Sequence, residues 1–380
     1  MKRTFTAFAF VLAFFLPLAC NPDGGEDCVY TVHTEKITSG KTADVTKAAV
    51  DNWTDVKWSS GDKIKVFKSS EIKSKDGQGT DFTLTGSTGT PSAQFTATGT
   101  GSYNKAKSYL IYPAALVKGH DGTLVTLDLP AVQKYVPDSF ASESFVTVGV
   151  GSSKEEIGLT NLCGLLVVKI KSDEPVSVSS LTIKTLGNES LCGEGTVEMG
   201  YKAEELPALK MKAPESDATK SVKLVCEPPV QLSSTPTAFC FVLPAGLVTK
   251  GFSLCVNDDL FGQMTLSGTP GKNTILRSAC RTATQVFDYS IMAVNPETTL
   301  RGIAVSYEDA ASVMLPLVTG TNNAWKVYWG DGASDDYSPV LTHTYADPAA
   351  KVAVFYSFQN ADQIVFQSLG GINTVYVNKL

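Results

Sequence analysis

Histidine and arginine are the scarce residues of this 380-residue chain. Histidine occurs at His33, His120 and His343 alone, and arginine only at Arg3, Arg277, Arg281 and Arg301. So little histidine leaves few centres for metal ligation, proton shuttling or a Ser-His-Asp arrangement. The arginine-free stretch from residue 20 to residue 276 excludes guanidinium clamps for phosphate or carboxylate over most of the chain. Charge is low too, with 18% Asp, Glu, Lys and Arg, which sets the chain apart from charge-driven disorder. With 32 basic against 38 acidic residues, a net charge of −6 argues against nucleic acid as a partner.

Catalytic motifs are missing as well. No G-x-S-x-G, H-E-x-x-H, P-loop or dinucleotide fingerprint occurs, and no C-x-x-C that would point to a zinc ribbon or a redox dithiol. The adjacent acids Glu155-Glu156, Glu204-Glu205 and Asp258-Asp259 would point to opposite faces of a strand. A glycosidase pair assembled from distant positions stays open. The expectation is a non-enzymatic protein with no cofactor and no metal.

What the chain does contain is alternation with a period of two. Ile64 and Val66 alternate with Lys63 and Lys65, Phe82 and Leu84 with threonines, and Leu181 and Ile183 with Thr182 and Lys184. Turn pairs punctuate these runs at Asp76-Gly77, Asp121-Gly122, Gly187-Asn188 and Pro270-Gly271. Long helical periodicity is nearly absent. Many short strands with regular turns predict an all-β protein of sandwiches or barrels.

The first residues read as an address. Met1-Lys2-Arg3 is a basic start, Phe5 to Leu18 carry no charge, and Ala19-Cys20 follow. The run is short for a membrane-spanning helix, which needs about 20 residues, and has the layout of an export signal. Leu18-Ala19-Cys20 resembles the bacterial lipobox, with Pro17 where leucine is usual. The resemblance implies cleavage after residue 19 and lipidation of Cys20, anchoring the chain in outer-membrane lipid. An ordinary secretory signal that happens to end near Cys20 is the other reading. Residues 20–27 form an acidic, glycine-containing tether, like those associated with display on the outer face in Bacteroidetes lipoproteins. Seven further cysteines stand at 28, 163, 192, 226, 240, 255 and 280, an odd number that cannot all pair within one chain. Cys163, Cys240 and Cys255 sit in apolar strand-like runs and read as small buried hydrophobes, with no connectivity implied.

Composition divides the mature chain into three units, 28–155, 157–289 and 291–380. The first two resemble the fimbrillin-like lipoproteins of Bacteroidetes. In the first, the carrying residues are Trp58-Ser59-Ser60-Gly61-Asp62-Lys63-Ile64, then Tyr109-Leu110-Ile111-Tyr112-Pro113-Ala114, then Leu129-Pro130-Ala131-Val132-Gln133. In the second they are Leu159-Thr160-Asn161-Leu162-Cys163-Gly164-Leu165-Leu166, the 181–193 passage, Phe241-Val242-Leu243-Pro244-Ala245 and Gly251-Phe252-Ser253-Leu254. In the third unit, Trp325-Lys326-Val327-Tyr328-Trp329-Gly330-Asp331-Gly332 followed by Thr342-His343-Thr344-Tyr345 resembles a PKD-type Ig-like sandwich.

The resemblance implies tandem β-sandwiches, two of transthyretin-like fimbrillin type and a small PKD/Ig-like one. It also implies a lipid-anchored cell-surface adhesin or a fimbrial anchor, tip or accessory subunit. In the resembled pilins a protease cuts after an arginine in the first domain, and a neighbouring subunit then donates a strand. This chain has no arginine there, which points away from a polymerising stalk, although strand addition to other fimbrial subunits stays open. The alternative is a surface glycan-binding lipoprotein of a polysaccharide-uptake system. For that role Trp325 and Trp329, four apart and so on one strand face, are candidate ligand-binding residues if the face is exposed, and packing if it is not. Asp331, Asp335 and Asp336 are candidate oxygen ligands for Ca²⁺ or plain turn acids. The receptor, glycan or protein, is not identified by the sequence.

Overall fold

The computed structural model describes residues 27–39, 56–86, 88–104, 106–172, 177–201, 206–258, 262–267, 274–286, 292–294, 301–307, 311–314, 317–319, 325–329, 333–338, 342–346, 351–357, 363–366 and 371–378. The export segment, Cys20, most of the acidic tether and Asp331 lie outside the described residues.

The chain is all-β with several sheets, as the alternation predicts. The strand Lys63–Lys68 buries Ile64 and Val66 on one face and Phe67 on the other, with Lys63 exposed and Lys65 and Lys68 partly buried. It belongs to an eight-stranded sheet running, in spatial order, Glu156–Gly158, Cys28–His33, Ser92–Ala97, Thr80–Leu84, Lys63–Lys68, Ser108–Tyr112, Thr147–Gly151 and Thr160–Asn161. One face of this sheet closes a core drawn almost entirely from its own strands, with Tyr30, Ile64, Phe82, Phe95 and Leu110 inside and Trp58 packed against them. The other face supplies Phe67, Tyr109, Ile111 and Val148 to a second core, which Phe145 joins from the loop ahead of Thr147–Gly151.

The strand Cys163–Lys171 shows best how the layers stack. Its residues Leu165, Leu166, Val167 and Val168 are all buried, so the run reads as continuous apolar sequence rather than alternation. Cys163, Leu165 and Val167 face the second core, together with Val125, Leu127 and Val197. Leu166, Val168 and Ile170 face a third, with Leu181, Ile183, Leu224, Phe239 and Phe241. The partner strand Thr237–Pro244 divides in the same way, Cys240 and Val242 to one side and Phe239, Phe241 and Leu243 to the other. This four-stranded sheet, completed by Ala279–Val286 and Thr38–Ser39, is a middle layer with apolar cores on both faces. Gly164 marks a close approach to this layer: a Cβ there would collide with the Leu276 carbonyl oxygen.

Strands from either side of residue 156 share sheets. Leu124–Leu129 pairs antiparallel with Gly193–Glu198, and Val132–Lys134 pairs parallel with Ser221–Gln231. Thr38–Ser39 likewise pairs parallel with Ala279–Val286, 240 residues away along the chain at Thr38 and Ser278. The six-stranded sheet beyond the third core ends on Met292–Val294, which leads toward the last unit.

That unit has a five-stranded sheet ordered Ser334–Asp336, Trp325–Tyr328, Lys351–Ser357, Arg301–Tyr307 and Ile372–Asn378. Short ladders pair Ser312–Met314 with Thr342–Thr344 and Leu317–Thr319 with Gln363–Val365. Its separate core holds Val305, Tyr307, Val313, Val327, Trp329 and Tyr345.

Candidate functional site

The residues singled out at Trp58–Ile64 and Tyr109–Ala114 converge. Gly61, at φ +90°, makes the turn that returns the Asp62 N–H to the Ser59 carbonyl at 3.1 Å. Asp62 then accepts hydrogen bonds from the Ser59 N–H at 2.7 Å and the Tyr112 hydroxyl at 2.9 Å. Trp58 donates its indole N–H to the Pro91 carbonyl at 3.1 Å and meets Phe95 and Tyr112 edge-on, both at 5.0 Å between ring centroids. Burial, the Asp62 charge and the hydrogen bond to it all favour the protonated Tyr112 phenol, whose pKa is raised. A group held this way is a strut rather than an acid or base at neutral pH.

Gln133 is a second strut. Its side-chain amide donates to the Val242 carbonyl at 2.7 Å and accepts the Val242 N–H at 3.0 Å, as a neighbouring strand's peptide group would. It thereby ties the 130–134 segment to the strand Thr237–Pro244.

The third set of motif residues also comes together. Trp329 is fully buried; its indole N–H donates to Asp335 Oδ2 at 2.7 Å, and its ring stacks on His343 at 4.7 Å. The Tyr345 hydroxyl donates to the Trp329 carbonyl at 2.8 Å. Trp329 therefore offers no face to a sugar, and the paired-tryptophan platform is corrected at this position: the residue follows the core-facing Val327 by two and continues its face. The Trp325 side chain lies outside the described residues. Asp335 serves as the indole's acceptor, and among the described residues no group of three or more His, Cys, Asp or Glu is placed to hold a metal.

None of the seven described cysteines is bridged. Burial pushes the Cys163 and Cys226 thiols up to about 12 and those of Cys192 and Cys280 up to about 11, leaving them protonated and unreactive. Cys163 and Cys240 are buried, whereas Cys255 is half-exposed because its strand neighbours Leu254 and Val256 take the core face.

One concave feature was not anticipated from sequence. A groove of about 550 Å³ opens beside Trp58 and Tyr112, walled by the 136–145 loop. The loop is built from tight turns: the Ser139 N–H donates to the Val136 carbonyl at 3.1 Å and the Ser144 N–H to the Ala141 carbonyl at 3.0 Å. Phe140 and Phe145 pack at 5.0 Å within it. The signal available was the Pro137-Asp138-Ser139 turn grouping, which announces a loop but not what the loop encloses.

No family model matches the chain, and no curated protein matches it. Among solved structures, it is similar to a candidate cell adhesion protein from Bacteroides ovatus, at 10% identity over 70% of this chain and 94% of that one, with a TM-score of 0.41. A candidate cell adhesion protein from Bacteroides uniformis matches at 12% identity, 71% and 96% coverage and a TM-score of 0.41. A fimbrial protein from Bacteroides ovatus matches at 11% identity, 76% and 58% coverage and a TM-score of 0.29. With TM-scores below 0.5, these likenesses leave the functional reading to rest on the chain's own residues. Among the described residues no helix is long and apolar enough to cross a membrane.

Proposed function

We propose that the chain is a non-enzymatic, lipid-anchored cell-surface protein, an adhesin or the anchor, tip or accessory subunit of a fimbria. The observation that carries this reading is the basic start and uncharged run ending on Leu18-Ala19-Cys20, ahead of an acidic tether and an all-β body. The conspicuous motif residues support it by acting as scaffold: Asp62, Tyr112, Gln133, Trp329 and Tyr345 are all engaged in internal hydrogen bonds. In this reading the chain sits in the outer membrane of a Bacteroidetes-like bacterium, with the 28–155, 157–289 and 291–380 units facing outward.

An anchor or tip role fits better than a polymerising stalk. The first described strand, Cys28–His33, is paired on both sides, antiparallel with Ser92–Ala97 and parallel with Glu156–Gly158. Arg277, the first arginine after the export segment, is half-buried; its guanidinium donates to Glu35 Oε2 at 2.6 Å and to the Asn161 carbonyl at 3.1 Å. It thus staples the chain just after the first strand instead of offering a cleavage site that would release it.

Metabolic labelling with an alkyne fatty acid tests the anchor: label is expected on the native chain and absent from Cys20→Ser. Protease shaving of intact cells is expected to remove the native chain. A ladder of SDS-resistant polymers trimmed at the N-terminus would overturn the anchor or tip role.

A further inference from the structure

We propose that the groove beside the 136–145 loop binds a saccharide. This names a ligand class for the surface reading above and rests on that reading for its biological setting. The floor is built from Thr34, Trp58, Phe145 and Thr147, all nearly inaccessible. Thr147 is 1% exposed, and its Oγ1 makes no hydrogen bond within the protein. A buried hydroxyl without a partner is uncommon in a folded chain, and this one belongs to a residue that lines the groove.

The rim has a different character. Asp138 and Glu143 are exposed carboxylates, Lys57 is an exposed ammonium, and Ser139 and Ser142 bring further hydroxyls. Phe140 is half-buried with its ring braced by Phe145, and Val136 beside it is exposed. Asp138 holds φ at +52°, a left-handed backbone at a non-glycine residue, of the kind that collects at ligand sites.

This combination selects among ligands. Two carboxylates against one ammonium disfavour an anion. The ring of hydroxyls and carboxylates would be left unpaired by an acyl chain, which disfavours a lipid. A peptide adding as a strand needs a free ladder edge, but Thr147 and Val148 are paired on both sides, with Tyr112 and Ile111 and with Asn161 and Thr160. A sugar fits the remainder: its C–H face suits Phe140 and Val136, and neighbouring hydroxyls donate to a carboxylate's two oxygens. The volume lies in the range of small-molecule sites.

The test is an array of plant, microbial and mucin-type oligosaccharides probed with the purified full-length mature chain, followed by calorimetric titration of the glycans that bind. Phe140→Ala and Glu143→Gln are each expected to weaken binding by at least about tenfold. Glu143 is exposed and its substitution isosteric, so that variant is expected to keep the native Tm and separates lost binding from lost folding. An array without binding, or binding unchanged in both variants, overturns the proposal. Surface shaving with an empty array would sink the saccharide and leave the surface reading standing; groove-dependent binding by a chain that shaving never reaches would do the reverse.

Discussion

Up to residue 294 the chain buries its apolar residues by exchange between distant segments, whereas beyond residue 301 it does so within a short local stretch. In the first region Cys163–Lys171 faces two cores at once, and strands from before residue 156 complete sheets built after it. In the second, Val305, Tyr307, Val327, Trp329 and Tyr345 form a core of their own. The contrast teaches that one local pattern, alternation of period two, serves two cooperative designs. Interleaving predicts that some 260 residues unfold as one unit, whereas the core of the last unit, among the described residues, is drawn from residues beyond 301.

Substitution in the middle layer breaks that comparison most forcefully. Val167 is fully buried in the core shared by three sheets. Val167→Asp places an unpaired carboxylate there, a change in the class that costs more than about 4 kcal/mol. We expect loss of protease resistance from Cys28 through Val286, including strands far from residue 167. Val327→Asp, fully buried in the last core, should instead expose only the 301–378 stretch. Mass spectrometry of limited digests distinguishes the patterns, and collapse of both regions in Val327→Asp would erase the difference drawn here.

Gln133→Ala follows in size. Removing the side chain leaves the Val242 N–H and carbonyl unpaired in a buried setting, for a cost of about 2–4 kcal/mol if both lose their partner. Because Gln133 lies before residue 156 and Val242 well after it, calorimetry should show the whole first region melting lower as one transition. A split into two transitions would mean that the interleaved units unfold separately.

Much of this was legible beforehand. Strands at 63–66 and 181–184 follow from alternation, and Ile64, Val66, Leu181 and Ile183 are buried as that period requires, whereas the adjacent buried pairs Val66-Phe67 and Ser180-Leu181 break it. What local sequence does not encode is the partner. Nothing in Leu124–Leu129 says that it pairs with Gly193–Glu198, because register between distant strands is decided by which apolar faces meet. The motif residues were readable as scaffold, but the specific bond of Gln133 to Val242 was not. The groove was illegible for a related reason: Asp138, Phe140 and Glu143 carry neither a period nor a motif and gain meaning only from the surface they enclose. At Trp329 the even spacing from Trp325 fixed a shared face without saying which side of the sheet was wet.

Trp329→Phe sharpens the comparison from the other region. It keeps an aromatic ring in the core but removes the hydrogen bond to Asp335, a charged acceptor, for a cost of about 1.5–3 kcal/mol. The last region should melt lower while the transition of the first stays in place. A matching fall in the first transition would show that the regions are coupled through Met292–Val294.

The smallest effect comes from acid. Burial favours the protonated form of Glu189, but the hydrogen bonds from the Thr249 hydroxyl and N–H and the Thr185 hydroxyl outweigh it and hold the carboxyl down at about 2. A carboxylate depressed in the folded state adds stability that is fully present above its ordinary value of 4.5 and is lost as pH falls through about 2. Glu189→Gln keeps the shape without the charge. The native chain should therefore exceed the variant in Tm at pH 6, and the gap should narrow steadily between pH 4.5 and pH 2, by less than the effect of Gln133→Ala at any pH. Glu189 joins the 185–189 turn to Thr249 inside the first region, so only that region's transition should carry the pH-dependent gap. A gap that is flat with pH would assign Glu189 a packing role, and one that appears in the last region's transition would join the two designs into one.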